Sequence, residues 1–202
     1  MTGKDAITIR PAGRSDAADL AIIDNMASHG LSLAFWQRAV ERGEAEDPLS
    51  FARERFADQN AVFAWSNALV AEEDGRIIGG CTGYEVENGE DAVDDFKSTF
   101  PAFVPVFELF ARAEGDWFID SMGVYPAVRG RGIAGQLLDA CLVRGREREY
   151  PRVSLVVESD NEPAVRLYES RGFETRDSLP FADRRKDSDG RWLLMSAGIT
   201  AK

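Results

Sequence analysis

The chain has 202 residues, 44% of them hydrophobic, and a formal net charge of −11. This length predicts a single domain, residues 1–202, and no apolar run is long enough to span a membrane. The acidic charge disfavours nucleic acid as a partner and favours cationic small molecules or peptides. The two cysteines, Cys81 and Cys141, lie far apart in apolar segments, which predicts reduced thiols, a cytoplasmic location and no metal site.

The first third of the chain predicts one strand followed by helices. Its opening residues, MTGKDAITIRPAGR, contain no apolar core, so a secretory signal is not expected. Residues Ala6–Arg10 alternate between apolar and polar side chains, as in a strand, and Pro11 ends the run. Helical spacing then appears in three stretches, which run from Ser15 or Asp16 to about Met26, from near Ser32, and from Leu49 to about Phe56.

A hairpin and an insertion follow. Asp74-Gly75, a pair favoured in two-residue turns, separates the apolar runs Ala68–Glu73 and Arg76–Val86. Between Glu85 and Asp95 there are six acids and no base, and two prolines and an apolar cluster come next. We predict an insertion at about residues 88–115 that consists of an acidic loop and a short apolar helix.

Strands alternate with helices in the second half. Two strands are predicted at Trp117–Val124 and Arg152–Glu158, and two helices at Gly132 to about Glu149 and Asn161–Arg171. The closing strands, Phe173–Asp177 and Trp192–Ser196, flank a charged turn. This order predicts an α/β fold, namely a mixed sheet with helices on both faces.

The turn after the strand Trp117–Val124 is rich in glycine and arginine. The chain passes through Arg129-Gly130-Arg131-Gly132 directly into a helical pattern. The first amides of a helix lack internal partners, and glycine lets the backbone approach a ligand closely. We therefore interpret the turn as an anion cradle for a phosphate or diphosphate, with the two arginines adding charge at its rim. A plain strand-to-helix connection is the alternative.

Two common nucleotide-binding motifs do not fit this turn. No Gly-Lys-Ser/Thr ends it, which excludes a P-loop. The glycines at 130, 132 and 135 approximate the dinucleotide fingerprint, but no acid lies at the expected distance to hold a ribose. A nucleotide-dependent oxidoreductase is therefore disfavoured.

A second segment decides between the cradle and the plain connection. Residues Asn161 to Phe173 match N-x-x-A-x-x-L-Y-x-x-x-G-F at every specified position, and Arg129 to Ala134 match R-x-x-G-x-A. In this order the two motifs resemble those of the GNAT superfamily of N-acetyltransferases, over about Trp117 to Asp177. The resemblance implies an acyl-CoA N-acyltransferase fold in which the fourth and fifth strands splay apart around acetyl-CoA, with no metal.

The resemblance also implies which groups hold acetyl-CoA. The backbone of Met122, Gly123 and Val124 would hydrogen-bond the pantetheine arm and polarise the thioester carbonyl. Asn161 and Ala164 would flank the pantetheine and the thiol. Loop amides would hold the diphosphate, and they belong to Arg129, Gly130, Arg131, Gly132, Ile133, Ala134 and Gly135.

The catalytic groups follow from the same resemblance. Tyr168 occupies the family's position for the general acid that protonates the departing thiolate, and its alternative role is a tyrosine packed in the core. Some relatives carry a basic glutamate on the fifth strand, where this chain has Val156. Asp120 and Glu158 are the substitutes, and their alternatives are a hydrogen-bonded strand acid and a solvated strand end.

The same resemblance implies that the acceptor side is formed by residues 25–36 and the insertion. The aromatic side chains there would line an apolar wall of the acceptor pocket. Their alternative role is to seal the core or a homodimer contact. They are Phe35, Trp36, Phe100, Phe103 and Phe107. The single histidine, His29, is expected at a helix end rather than in catalysis.

Two classes of function stay open. The first is an N-acetyltransferase that moves an acetyl group from acetyl-CoA to a primary amine of a small molecule or peptide, by direct attack and through a tetrahedral intermediate. The second is a non-catalytic CoA-binding regulatory or sensor module on the same fold. A longer acyl donor would need a wider cleft past Met122.

Overall fold

A computed structural model describes residues 6–87, 97, 100–181 and 189–199. The strands are β1 Thr8–Pro11, β2 Ala68–Glu73, β3 Arg76–Glu85, β4 Trp117–Val124, β5 Arg152–Glu158, β6 Glu174–Pro180 and β7 Arg191–Gly198. They form a mixed sheet in the order β1-β2-β3-β4-β5-β7-β6. The longer helices are α1 Ala17–Ala27, α2 Leu31–Glu41, α3 Pro48–Ala57, α4 Val104–Ala111, α5 Ile133–Glu147 and α6 Glu162–Glu169. None of these described helices is long and apolar enough to cross a bilayer.

The predicted strands and helices are confirmed, with small shifts at their ends. β4 and β5 have the predicted bounds, whereas β1 begins at Thr8 and includes Pro11. Asn161, which the sequence also suggests as the N-cap, occupies that position with the non-helical angles φ −81° and ψ 59° and without a side-chain cap hydrogen bond, so α6 itself begins at Glu162. Most of the acidic loop, residues 88–96, 98 and 99, and most of the charged turn, residues 182–188, lie outside the described residues.

The chain forms two compact units. The first comprises residues 1–84 and 120–141, and the second comprises residues 85–119 and 142–202. β3 and β4 each continue from one unit into the other along the chain. The single domain and the insertion bounds therefore stay predictions, although the short apolar helix of the insertion is present as α4.

The first unit is built from the antiparallel strands β1, β2 and β3 and the helices α1 to α3. Asp74 and Gly75 join β2 to β3 with φ of 53° and 72°, as a tight turn between twisted strands requires. The core of the unit buries Leu20, Trp36 and Phe56, and Phe35 packs against it half-buried. The aromatics of α2 therefore seal the core, which is the second of the two roles predicted for them.

The second unit holds a buried ionic network. β5 pairs in parallel with the start of β4 over Trp117–Ile119 and antiparallel with β7. Asp116, just before β4, is fully buried and pairs with Arg152 at 2.8 Å and Arg176 at 2.9 Å. Ser154 Oγ donates to the same carboxylate at 2.6 Å. Asp116 thus ties β4, β5 and β6 together.

We expect Asp116→Asn to lower the free energy of unfolding by ~2 kcal/mol, because charge-assisted hydrogen bonds to a buried acceptor are lost. Asp177→Asn is the matched control, since its pair with Arg112 at 2.6 Å is substantially exposed and should contribute less than about 1 kcal/mol. Urea denaturation measures both values. Equal losses in the two variants would contradict the structural role of Asp116.

Candidate functional site

The glycine-rich turn lies at the start of α5 in the first unit. Gly130 and Gly132 have φ of 76° and 77°, a left-handed conformation that other residues rarely adopt. A Cβ atom built on either glycine would meet nothing within 4 Å. The backbone of the turn is therefore open to a ligand on the side where side chains would stand.

The amide groups of residues 130–135 have no acceptor within the described part of the chain. The first helical hydrogen bond of α5 comes only afterwards, from Gln136 N to Gly132 O at 3.2 Å. Consecutive free N–H groups at the positive end of a helix dipole are the chemistry that binds a diphosphate. The amide of Arg129 differs, because it donates to Pro126 O at 3.4 Å.

Both arginines of the turn already have protein partners. Arg131 forms a bidentate pair with Glu73, with N–O distances of 2.8 and 2.5 Å. Arg129 Nε donates to Val124 O at 3.0 Å, and its Nη2 lies 3.7 Å from Met26 Sδ. The charge of Arg131 that the sequence predicted for the rim is thus balanced by Glu73, whereas the contacts of Arg129 within the described residues are to neutral atoms, so its charge stands at the rim beside the backbone amides.

The second half of β4 runs close to α1. A Cβ on Gly123 would lie 3.2 Å from Ile23 Cγ2 and from Met26 Cε. A Cβ on Gly79 of β3 would lie only 2.8 Å from Gly123 O. Gly123 therefore lets its neighbours pack directly against the β4 backbone, which is the segment that the sequence predicted to hold pantetheine.

Asp120 is a predicted base candidate whose pKa is shifted from its ordinary value. Its side chain touches solvent, and Tyr84 Oη donates to its Oδ1 at 2.9 Å. Desolvation by the surrounding protein and the negative charge of Asp24 raise the pKa of Asp120 to about 7, and the Tyr84 hydrogen bond opposes this rise. A carboxylate with this pKa can exchange a proton near neutral pH.

Sequence reasoning missed Tyr84 and Asp24. They are 36 and 96 residues from Asp120 along the chain, on β3 and α1. The available signals were a tyrosine near the end of an apolar strand and an acid within an apolar helix. Neither signal shows which distant residue the Tyr84 or Asp24 side chain interacts with.

The second unit carries the other predicted site residues. Asn161 O accepts the amide of Ala164 at 3.0 Å at the start of α6. Tyr168 is 8% exposed, and its ring centroid lies 5.7 Å from that of Phe173. Glu158 ends β5 opposite Trp192 of β7. α6 therefore carries Ala164 and Tyr168, and Asn161 lies at its N-cap, all within about two helical turns.

No group of three metal-ligating side chains occurs among the described residues. His29 lies between α1 and α2 with φ of 53°, where the sequence predicted a helix end.

We expect Tyr84→Phe to raise the pKa of Asp120 above its value of about 7, because the phenol stabilises the ionised carboxylate. Carbon-13 NMR of aspartate carboxyl groups measures the inflection, and a spectrum of Asp120→Asn assigns the signal. Tyr125→Phe is the control, since the Tyr125 hydroxyl donates a hydrogen bond to Asp19 Oδ1 at 2.8 Å and not to Asp120. An inflection that stays in place in Tyr84→Phe would contradict the contact.

Solved structures with this fold include several acetyltransferases. One acetyltransferase crystal structure has a TM-score of 0.66 at 20% identity and covers 95% of this chain and 99% of its own. A putative acetyltransferase from Salmonella typhimurium, solved with its cofactor acetyl-CoA, has a TM-score of 0.61 at 19% identity, with coverage of 98% and 96%. At these identities the likeness shows the fold alone, and it confirms the predicted one.

Curated relatives match over shorter stretches. The mycothiol acetyltransferase of Brachybacterium faecium is 49% identical over 49 residues, which are 24% of this chain and 15% of that protein. An acetyltransferase of Sodalis glossinidius is 34% identical over 68 residues, 34% of this chain and 48% of that protein. The matches thus span less than half the length of these relatives. The model of the acetyltransferase (GNAT) family matches residues 30–173, and the chain therefore belongs to that family.

Proposed function

We propose that this chain is an N-acetyltransferase that moves an acetyl group from acetyl-CoA to a primary amine of a small molecule or peptide. The observation that carries the proposal is the run of free amides at residues 130–135. Those amides fit the diphosphate of acetyl-CoA, because they combine six donors with the positive end of α5. Membership of the acetyltransferase family supports acetyl-CoA as the ligand.

The β4 backbone would serve the acyl end of the co-substrate. Met122, Gly123 and Val124 follow Asp120 on the same strand, so one short segment joins the base candidate to the predicted pantetheine contacts. A strand N–H in this segment would stabilise the oxyanion of the tetrahedral intermediate.

Two side chains would transfer protons during the reaction. Asp120 would accept a proton from the amine, which must be neutral to attack the thioester carbonyl. Tyr168 would protonate the thiolate as the C–S bond breaks. Because a base acts in its ionised form, turnover should rise with pH through the pKa of Asp120, about 7.

A thiol-release assay with acetyl-CoA and a panel of amines tests this function. The panel includes polyamines, aminoglycosides, amino acids and peptides with free N-termini. Thiol release that depends on one class of amine supports the proposal. Tight binding of acetyl-CoA without release for any amine would instead favour the non-catalytic CoA-binding module.

Gly132→Glu should weaken acetyl-CoA binding at least tenfold, about 1.4 kcal/mol, because the new carboxylate stands in the cradle and repels the diphosphate. Gly75→Glu is a matched control, since Gly75 has a similar φ of 72° and equally open space in the β2–β3 turn. Isothermal titration calorimetry measures both. Retained affinity for acetyl-CoA in Gly132→Glu would contradict binding of the diphosphate at this turn.

Tyr168→Phe should slow turnover ~100-fold while acetyl-CoA affinity stays nearly unchanged, because only proton donation to the thiolate is lost. Tyr150→Phe serves as the control in the same unit, since its hydroxyl donates to Glu85 at 2.6 Å. Steady-state kinetics and calorimetry separate turnover from binding. Unaltered turnover would reject Tyr168 as the general acid.

A further inference from the structure

Met26, in the last turn of α1, contacts two separate parts of the predicted acetyl-CoA site. Its Sδ lies 3.7 Å from Arg129 Nη2, at the rim of the cradle. Its Cε lies 3.2 Å from the point that a Cβ on Gly123 would occupy, against the β4 segment predicted to hold pantetheine. One side chain thus touches the groups predicted for the diphosphate and those predicted for the pantetheine arm.

The Arg129 side chain completes the link from the cradle to β4. Its Nε donates to Val124 O at 3.0 Å, so the guanidinium is held by the end of β4 as well as by Met26. The pairing of β4 with β5 covers Trp117–Ile119, and Val124 lies beyond it. A guanidinium has five N–H donors. The other donors of Arg129 have no acceptor within the described residues and are therefore open to an anion.

The chemistry and the burial of Met26 distinguish it from a residue that only fills the core. Leu20 and Ile23 of the same helix are 2% and 1% exposed, whereas Met26 is half-buried and its sulfur meets the exposed Arg129. A thioether sulfur is a weak, uncharged acceptor. It can hold a guanidinium without neutralising it, whereas Glu73 balances the charge of Arg131.

A guanidinium that is already held in place binds an anion better than a free one. The ordering of a flexible side chain on binding costs free energy, and a preorganised group avoids part of that cost. The Arg129 side chain is exposed, so without its two contacts it would sample many rotamers. The contacts with Val124 O and Met26 Sδ therefore prepare its charge for the diphosphate.

We propose that Met26 is a positioning residue for acetyl-CoA: it holds the Arg129 guanidinium, still charged, at a fixed place relative to the backbone of Gly123 and Val124. The inference rests on the part of the proposed function that assigns acetyl-CoA to the cradle. Met26 acts through Arg129 and not on the reacting atoms.

Met26→Ala should weaken acetyl-CoA binding about tenfold, the factor that corresponds to the ordering of one flexible side chain. Met26→Gln should keep an affinity close to that of the unmodified protein, because its amide oxygen also accepts from a guanidinium and carries no charge. Ile22→Ala is the matched control, since Ile22 lies on the same helix and is 45% exposed. Isothermal titration calorimetry measures the affinities, and urea denaturation checks that each variant folds.

A double-mutant cycle with Arg129→Ala tests whether Met26 acts through the guanidinium. The loss caused by Met26→Ala should disappear in the Arg129→Ala background, because the group that Met26 positions is then missing. A role in core packing alone would give the same loss in both backgrounds. Equal losses, an unchanged affinity in Met26→Ala, or a Met26→Gln protein that binds as weakly as Met26→Ala would each overturn the proposal.

These binding measurements separate the positioning role from the proposed transfer reaction. If acetyl-CoA binds with the expected dependence on Met26 but no amine is acetylated, the proposed function fails and the positioning role stands. If amines are acetylated while Met26→Ala binds acetyl-CoA normally, the positioning role fails and the function stands.

Discussion

The amides at the start of α5 need an acceptor that the described part of the protein does not supply. Backbone N–H groups are strong donors, and a run of six of them at one helix start favours an anion. The left-handed Gly130 and Gly132 keep that surface clear of side chains. The Glu73 pair holds the Arg131 guanidinium, so main-chain dipoles and the Arg129 charge are the groups that the turn offers to an anion.

The proposed proton transfer would depend on a different feature of the same unit. Asp120 follows the part of β4 that pairs with β5 and precedes the backbone segment predicted to bind pantetheine. Asp24, the surrounding protein and Tyr84 together set its proton affinity near neutral pH. One strand thus carries the base candidate and the backbone groups that would stabilise the oxyanion, and this arrangement would align proton removal with attack on the carbonyl.

The local parts of this arrangement were predictable from the sequence. Turn residues, apolar spacing and the two motifs located the β2–β3 hairpin, β4, β5 and the open amides before α5, because these features depend on neighbours in the chain. The Arg131–Glu73 pair joins residues 58 apart, and Tyr84 meets Asp120 across 36 residues. Such contacts depend on strand register and helix placement, so the sequence could name Asp120 as a candidate but not show what sets its pKa. α6 begins at Glu162, one residue after Asn161, since Asn161 takes a non-helical N-cap conformation.

Calorimetric titration of the unmodified protein with acetyl-CoA and with acetyl-pantetheine, which lacks the diphosphate, tests the central claim most directly. The account predicts saturable binding of acetyl-CoA and a large loss of affinity for acetyl-pantetheine, because the amides at residues 130–135 then have no anion to bind. Equal affinity for the two compounds, or a folded protein that ignores acetyl-CoA at millimolar concentration, would contradict it.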